Sequence, residues 1–203
     1  MNLKPFLSLV AAVCALSAVP ASAGVIYDNG PDAGNNTYHT IDGPYQVSDS
    51  FTLSSDSTVV EAILQVDVFV GDTPTSLDWL ITTASFGGTT LASGTGVSLA
   101  ATFDHPWIPN SHIGDVYQVS FGVPNLFLAA GTYWLQIQNA TSAQGFGVSW
   151  AEGANNLGSA SQTIQGTIPS ESFELLSPEP ASFVLFGSGI LALAFARKFL
   201  RQA

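Results

Sequence analysis

Tyr133-Trp134-Leu135-Gln136-Ile137-Gln138 sets an indole and two amides at two-residue spacing. Residues two apart share one face of a strand, so Trp134, Gln136 and Gln138 would stand together, opposite Tyr133, Leu135 and Ile137. An indole can stack on a sugar ring while amides bond its hydroxyls. The competing role for Trp134 is to fill the edge or core of a sheet. Trp107, inside His105-Pro106-Trp107-Ile108-Pro109, is the second candidate for a glycan platform, and its two flanking prolines would equally pin it as a local plug. Trp79 and Trp150 alternate with apolar residues and read as core.

Asp28, Asn29, Asp32, Asn35 and Asn36 crowd oxygen donors into one segment. Asp28 and Asp32 are the carboxylates with which such a segment would hold Ca2+, a hard ion that takes oxygen ligands. The spacing fits no EF-hand or repeat-type calcium loop, and Asx residues are also what turns require. The expectation is therefore no cofactor, with calcium as the alternative. For catalysis, Asp104 and His105 are adjacent, while His39 and His112 lie elsewhere. No Gly-x-Ser-x-Gly elbow or metal-binding histidine pair occurs. Neighbours on a strand point to opposite faces, which makes Asp104-His105 a poor dyad. No catalytic residue is assigned, and the chain is expected not to be an enzyme.

The elements that must position these residues are strands. In Val59 to Val70 (VVEAILQVDVFV), Val60, Ala62, Leu64, Val66, Val68 and Val70 fall on one face, with Glu61, Gln65 and Asp67 on the other. Alternation returns in Leu77 to Thr82, Tyr117 to Val123, Tyr133 to Gln138 and Phe146 to Trp150. Turn clusters separate them: Asp28-Asn29-Gly30-Pro31-Asp32, Gly71-Asp72-Thr73-Pro74, Phe86-Gly87-Gly88, Ser93-Gly94-Thr95-Gly96 and Ala130-Gly131. Ala154 to Ser170 reads as polar and irregular, and Glu171 to Leu176 as a final strand. Short strands between turns, with no amphipathic helix, predict an all-β fold: a single antiparallel jelly-roll-like β-sandwich over residues 24–177.

Charge narrows the partners. The chain has four Lys and Arg against fifteen Asp and Glu. The basic residues are Lys4, Arg197, Lys198 and Arg201, so the body between them is purely anionic and nucleic acid is excluded as a partner. Residues 1–23 have the parts of a secretory signal: a basic start, the apolar Phe6 to Val19, and Ala21-Ser22-Ala23 as a cleavage site before Gly24. Cleavage by signal peptidase there removes Cys14, the single cysteine, so stability must come from the packed core.

After Ser177 the chain changes character. Pro178-Glu179-Pro180 precedes an uncharged stretch from Ala181 to Ala196 and the basic Arg197, Lys198 and Arg201. As a helix, residues 181–196 would reach about 24 Å against a hydrocarbon core of about 30 Å. That makes a short transmembrane helix, with the basic tail on the cytoplasmic side and the acidic body outside.

Pro178-Glu179-Pro180, the apolar stretch with Gly187-Ser188-Gly189, and Arg197-Lys198 together resemble the PEP-CTERM sorting signal of exopolysaccharide-producing Gram-negative bacteria, a tail also labelled an ice-binding protein C-terminal motif. The resemblance implies that residues 178–203 are read by an exosortase, a membrane-embedded cysteine transpeptidase that cuts near the triplet during export. It implies a protein of the cell surface or biofilm matrix, associated with exopolysaccharide, with a structural or binding role. A carbohydrate-binding or adhesion module, calcium-dependent or not, is the alternative. Thr73-Pro74-Thr75 is isolated, so no threonine ladder supports ice binding by the body itself.

Overall fold

The computed structural model describes residues 23–35, 37–107 and 114–178. The signal segment up to Ser22, Asn36, His112, Glu179, Pro180, the proposed helix 181–196 and Arg197, Lys198 and Arg201 lie outside the described residues. Within them every regular element is a strand, and Val25 to Ser177 form one compact unit.

The first sheet is organised around β4 (Ser57–Phe69), whose alternating apolar residues made it the clearest element in the sequence. One side of β4 pairs along its length with β8 (Gly114–Leu128), which is bordered in turn by β7 (Ala100–Pro106). The other side is shared by two segments end to end. β13 (Phe173–Ser177) pairs with Glu61 to Leu64, and β10 (Val148–Ala151) pairs with Val66 to Val68. β1 (Gly24–Asp28) lies beside β13, and β2 (Tyr38–Thr40) beside β10. The chain thus fills one strand position twice, leaving after Ala151 and returning at Ser172, whose N–H donates to the Ala151 carbonyl at 2.7 Å.

The second sheet runs in the order β12 (Gly166–Ile168), β11 (Ala160–Gln162), β3 (Gln46–Leu53), β9 (Gly131–Ser142), β5 (Pro74–Ala84), β6 (Gly87–Ser98). Its pairings are antiparallel. The inner faces of the two sheets meet in one apolar core. Phe51 of β3 packs edge-on against Phe173 of β13, with ring centroids 6.2 Å apart, and Trp79 of β5 stacks on Phe121 of β8 at 5.7 Å. Trp79 and Trp150 are both buried.

Three details depart from the sequence reading. A bulge between Val59 and Glu61 shifts the phase of β4, so that Val59 enters the core and Val60, expected there, is only half-buried. Ser93-Gly94-Thr95-Gly96, read as a turn, belongs to the exposed edge strand β6. Gly94 faces Trp79 across the pair, and a Cβ there would collide with the indole, so glycine serves close packing at this position. The segment read as irregular after Ala154 contains β11 and β12, a hairpin that extends the second sheet beside β3.

Candidate functional site

One dense polar cluster lies on the outer face of the first sheet. Gln65 and Asp67 do point outward from β4, yet both are buried, because the segments carrying Asp32 and Trp107 fold over them. Gln65 Oε1 accepts from the Asp32 N–H and from the Ser172 hydroxyl, and its Nε2 donates to Asp104 Oδ2 at 2.5 Å. His105 bridges two carboxylates: Nε2 lies 3.2 Å from Asp32 Oδ2, and Nδ1 lies 3.2 Å from Asp104 Oδ2. Tyr38 also donates its hydroxyl to Asp32 Oδ2 at 2.9 Å.

The expectation that adjacent Asp104 and His105 point apart is therefore corrected. A register shift between Phe103 and His105 breaks the strict alternation of β7 and brings the two side chains together. Because each ring nitrogen already faces a carboxylate, the imidazole is positioned by acids on both sides, with neither nitrogen directed at a nucleophile. This arrangement ties β7 to the Asp32 segment.

Asp67 lies beneath the cover. Burial pushes its carboxyl up to about 7, with Asp115 and Asp32 adding to the shift, and Oδ1 has no hydrogen-bond partner. Trp107 packs edge-on against Tyr38, with centroids 4.9 Å apart, and its backbone N–H donates to the Gly114 carbonyl. It is half-buried and its indole N–H is enclosed without a partner. Of the two roles open to Trp107, plug or platform, these contacts describe a plug over β4.

Asp28 and Asp32 serve separate turns. Asp28 Oδ1 accepts from the Gly30 N–H at 2.6 Å and Asp32 Oδ1 from the Gly34 N–H at 3.0 Å, with Asn35 doing the same for Thr37. Among the described residues, no three His, Cys, Asp or Glu gather as metal ligands.

Trp134 stands on the outer face of the second sheet and is half-buried, while Leu135 and Ile137 are buried in the core. Its companions already have partners in the sheet. Gln136 Nε2 donates to Thr82 Oγ1 at 2.8 Å, and Gln138 Oε1 accepts from Gln46 Nε2. Trp134 is the member of the trio that keeps an exposed apolar surface.

A second cluster, which the sequence reading missed, lies between the sheets where β10 hands over to β13. Asp49 shares the inward face of β3 with Val47, Phe51 and Leu53, and is fully buried. Its Oδ2 accepts from the Ser170 hydroxyl and the Glu171 N–H, both at 2.6 Å. Burial still pushes the carboxyl up to about 6, although these hydrogen bonds act against it. Asn29 Nδ2 donates to Ser170 Oγ and to the Glu171 carbonyl, at 2.7 and 2.5 Å. Glu171 is enclosed, with Oε1 2.6 Å from His39 Nδ1 in a contact that lacks hydrogen-bond alignment. Burial drives Glu171 well above the usual carboxylate range, helped by Asp49 and Glu152, and drives His39 downward. One signal was legible: an aspartate at the period-two position between Val47 and Phe51 must either be buried or break the strand.

The described residues thus define an all-β body closed by internal polar networks, whose last strand runs directly into Pro178. Residues 178–198 match the PEP-CTERM protein-sorting motif, so this chain carries that sorting signal. The match takes in Pro178-Glu179-Pro180 and Arg197-Lys198, and stops short of Arg201. The motif implies an exosortase as processing partner and export with membrane-associated sorting. No curated protein and no solved structure matches the chain.

Proposed function

We propose that the chain is the precursor of a surface or extracellular-matrix protein associated with exopolysaccharide, acting through structure or binding and not through catalysis. A signal peptide ending at Ala21-Ser22-Ala23 starts export, residues 181–196 hold the chain briefly in the inner membrane, and an exosortase cuts near Pro178-Glu179-Pro180. The carrying observation is the sorting motif at residues 178–198. Two prolines disfavour helix and keep the triplet extended where a protease needs accessible backbone. In this reading the two facing sheets form a jelly-roll-like sandwich, a passive and self-contained body. Intact-mass measurement of the extracellular form from an exosortase-bearing host tests the proposal. The expected mass begins at Gly24 and lacks the sequence after the triplet; recovery of Arg197 to Ala203 outside the cell would refute processing.

Glycan binding is the second reading, favoured by the partly exposed Trp134 on the outer face of the second sheet. Native exopolysaccharide should then retain the mature domain, and Trp134→Ala should weaken retention about tenfold, the effect of losing one stacking contact of about 1 to 1.5 kcal/mol. Equal retention of both proteins would reject Trp134 as the platform. Loss of retention on adding chelator would bring calcium back as a ligand.

A further inference from the structure

We propose that, while the chain is anchored, the end of the body that carries Ser177 rests against the lipid headgroups. This inference depends on the anchor reading above. β13 ends at Ser177, and the uncharged stretch begins at Ala181. Residues 178–180 alone lie between them, and at 3.3 to 3.6 Å per residue they reach about 10 Å when extended. The headgroup layer is itself roughly 5 to 8 Å deep on each side. With residues 181–196 in the hydrocarbon, the end of β13 cannot stand clear of the bilayer surface.

Strand registers identify which surface this is. Leu176 of β13 is opposite Glu61 near the start of β4, Ser57 of β4 is opposite Leu128, and Leu53 of β3 is opposite Gly131. The connections at residues 54–56 and 129–130 therefore lie at the Ser177 end. The β5–β6 turn at residues 85–86 joins them, because Thr82 pairs with Trp134 near the start of β9. Phe127 and Phe86 project there, 64% and 37% exposed. Phenylalanine is among the apolar side chains that interfacial segments bury at the headgroup–acyl boundary.

Charge agrees with this orientation. At the Ser177 end the described carboxylates are Asp56 and Glu61, and Asp56 Oδ1 is engaged by the Ala130 N–H at 2.9 Å. The opposite end, where β4 finishes and β8 begins, carries Asp67, Asp72 and Asp115. The short tether holds this acid-rich end away from an anionic lipid surface, which would repel it. Contact is imposed by connection and tolerated by chemistry.

The signal-processed chain from Gly24 to Ala203 contains no cysteine, so single labels can be placed cleanly. Phe127→Cys and Phe69→Cys, both at exposed side chains at opposite ends of β4 and its partner, are spin-labelled and reconstituted into vesicles of phosphatidylethanolamine and phosphatidylglycerol. Collision with oxygen and with a water-soluble nickel chelate is then measured. The label at 127 is expected to be several-fold less accessible to nickel than the label at 69. Twelve Gly and Ser residues inserted between Ser177 and Pro178 should return it to water-like values. Vesicle flotation with a water-like label at 127 overturns docking and leaves the anchor standing. Failure to float overturns both, and shielding at 127 that survives the insertion overturns the tether argument.

Discussion

Asp49 is inward-facing because β3 alternates, and its position carries two consequences. Asp49 and Asp67 titrate near 6 and 7 in the folded protein, and burial raises Glu171 and Glu174 as well. The folded state therefore binds protons that the unfolded chain, with carboxyls near 4, has released. The stability these groups contribute is full below about pH 4 and is lost as pH rises through about 6 to 7. His39 is lowered and works in the opposite sense, but only below about 6.5. The melting temperature should fall between pH 5 and pH 8, and Asp49→Asn together with Asp67→Asn should flatten that slope; a profile that rises over the window refutes the account. Gly158 provides the other test, since a Cβ there would press on Ser170 Oγ at 2.8 Å and on Asp49 Oδ1 and the Ser50 carbonyl, all in fixed structure. Gly158→Ala should cost about 1 to 3 kcal/mol in denaturant unfolding, whereas Gly122→Ala, with open space around the added Cβ and no left-handed φ to strain, should leave stability nearly unchanged.

Element by element, the sequence revealed those strands whose two faces differ in polarity. β4, β5, β8 and β9 show period-two alternation because one face is core, and all four were legible. β6 was not, because its residues are small and mostly exposed, and glycine there is set by the neighbouring Trp79, which local sequence does not display. β11 and β12 span three residues each, too short to carry a period. The His105 cluster was hidden for a related reason: alternation predicts side-chain direction only until a bulge interrupts it. β13 is small but indispensable, because Phe173 and Leu175 are buried in the core. A chain ending at Ser177 should unfold cooperatively at nearly the same temperature as the chain with its tail. A chain ending at Ser172 should fail to fold, since losing a buried Phe alone costs about 3 to 5 kcal/mol. Circular dichroism melts of the two truncations distinguish these outcomes.

Across the whole molecule, the formal net charge is −11, and between Lys4 and Arg197 there is no Lys or Arg to offset the carboxylates. Such a body repels itself, and added salt screens that repulsion over a Debye length of about 10 Å at 0.1 M. Raising NaCl from low ionic strength to about 0.1 M should therefore increase the melting temperature at pH 8, more than at pH 5 where the raised carboxyls hold protons. A fall with salt would overturn the self-repulsion account. The sorting tail was readable from sequence alone, because its three parts are consecutive. The interior networks join residues more than a hundred positions apart, such as Asn29 with Ser170 and Asp49 with Glu171, and only folding brings them together.

Where β13 sits also decides how the protein meets mechanical tension. The strand lies between β1 and β4 in the sheet, and the chain leaves it at Ser177 towards the sorting motif. A pull along that strand strains its bonds to both neighbours in shear, several at once, and does not peel them apart singly. The body can thus remain folded while its own C-terminus is tugged, and a cut beyond Ser177 relieves the tension without removing any strand.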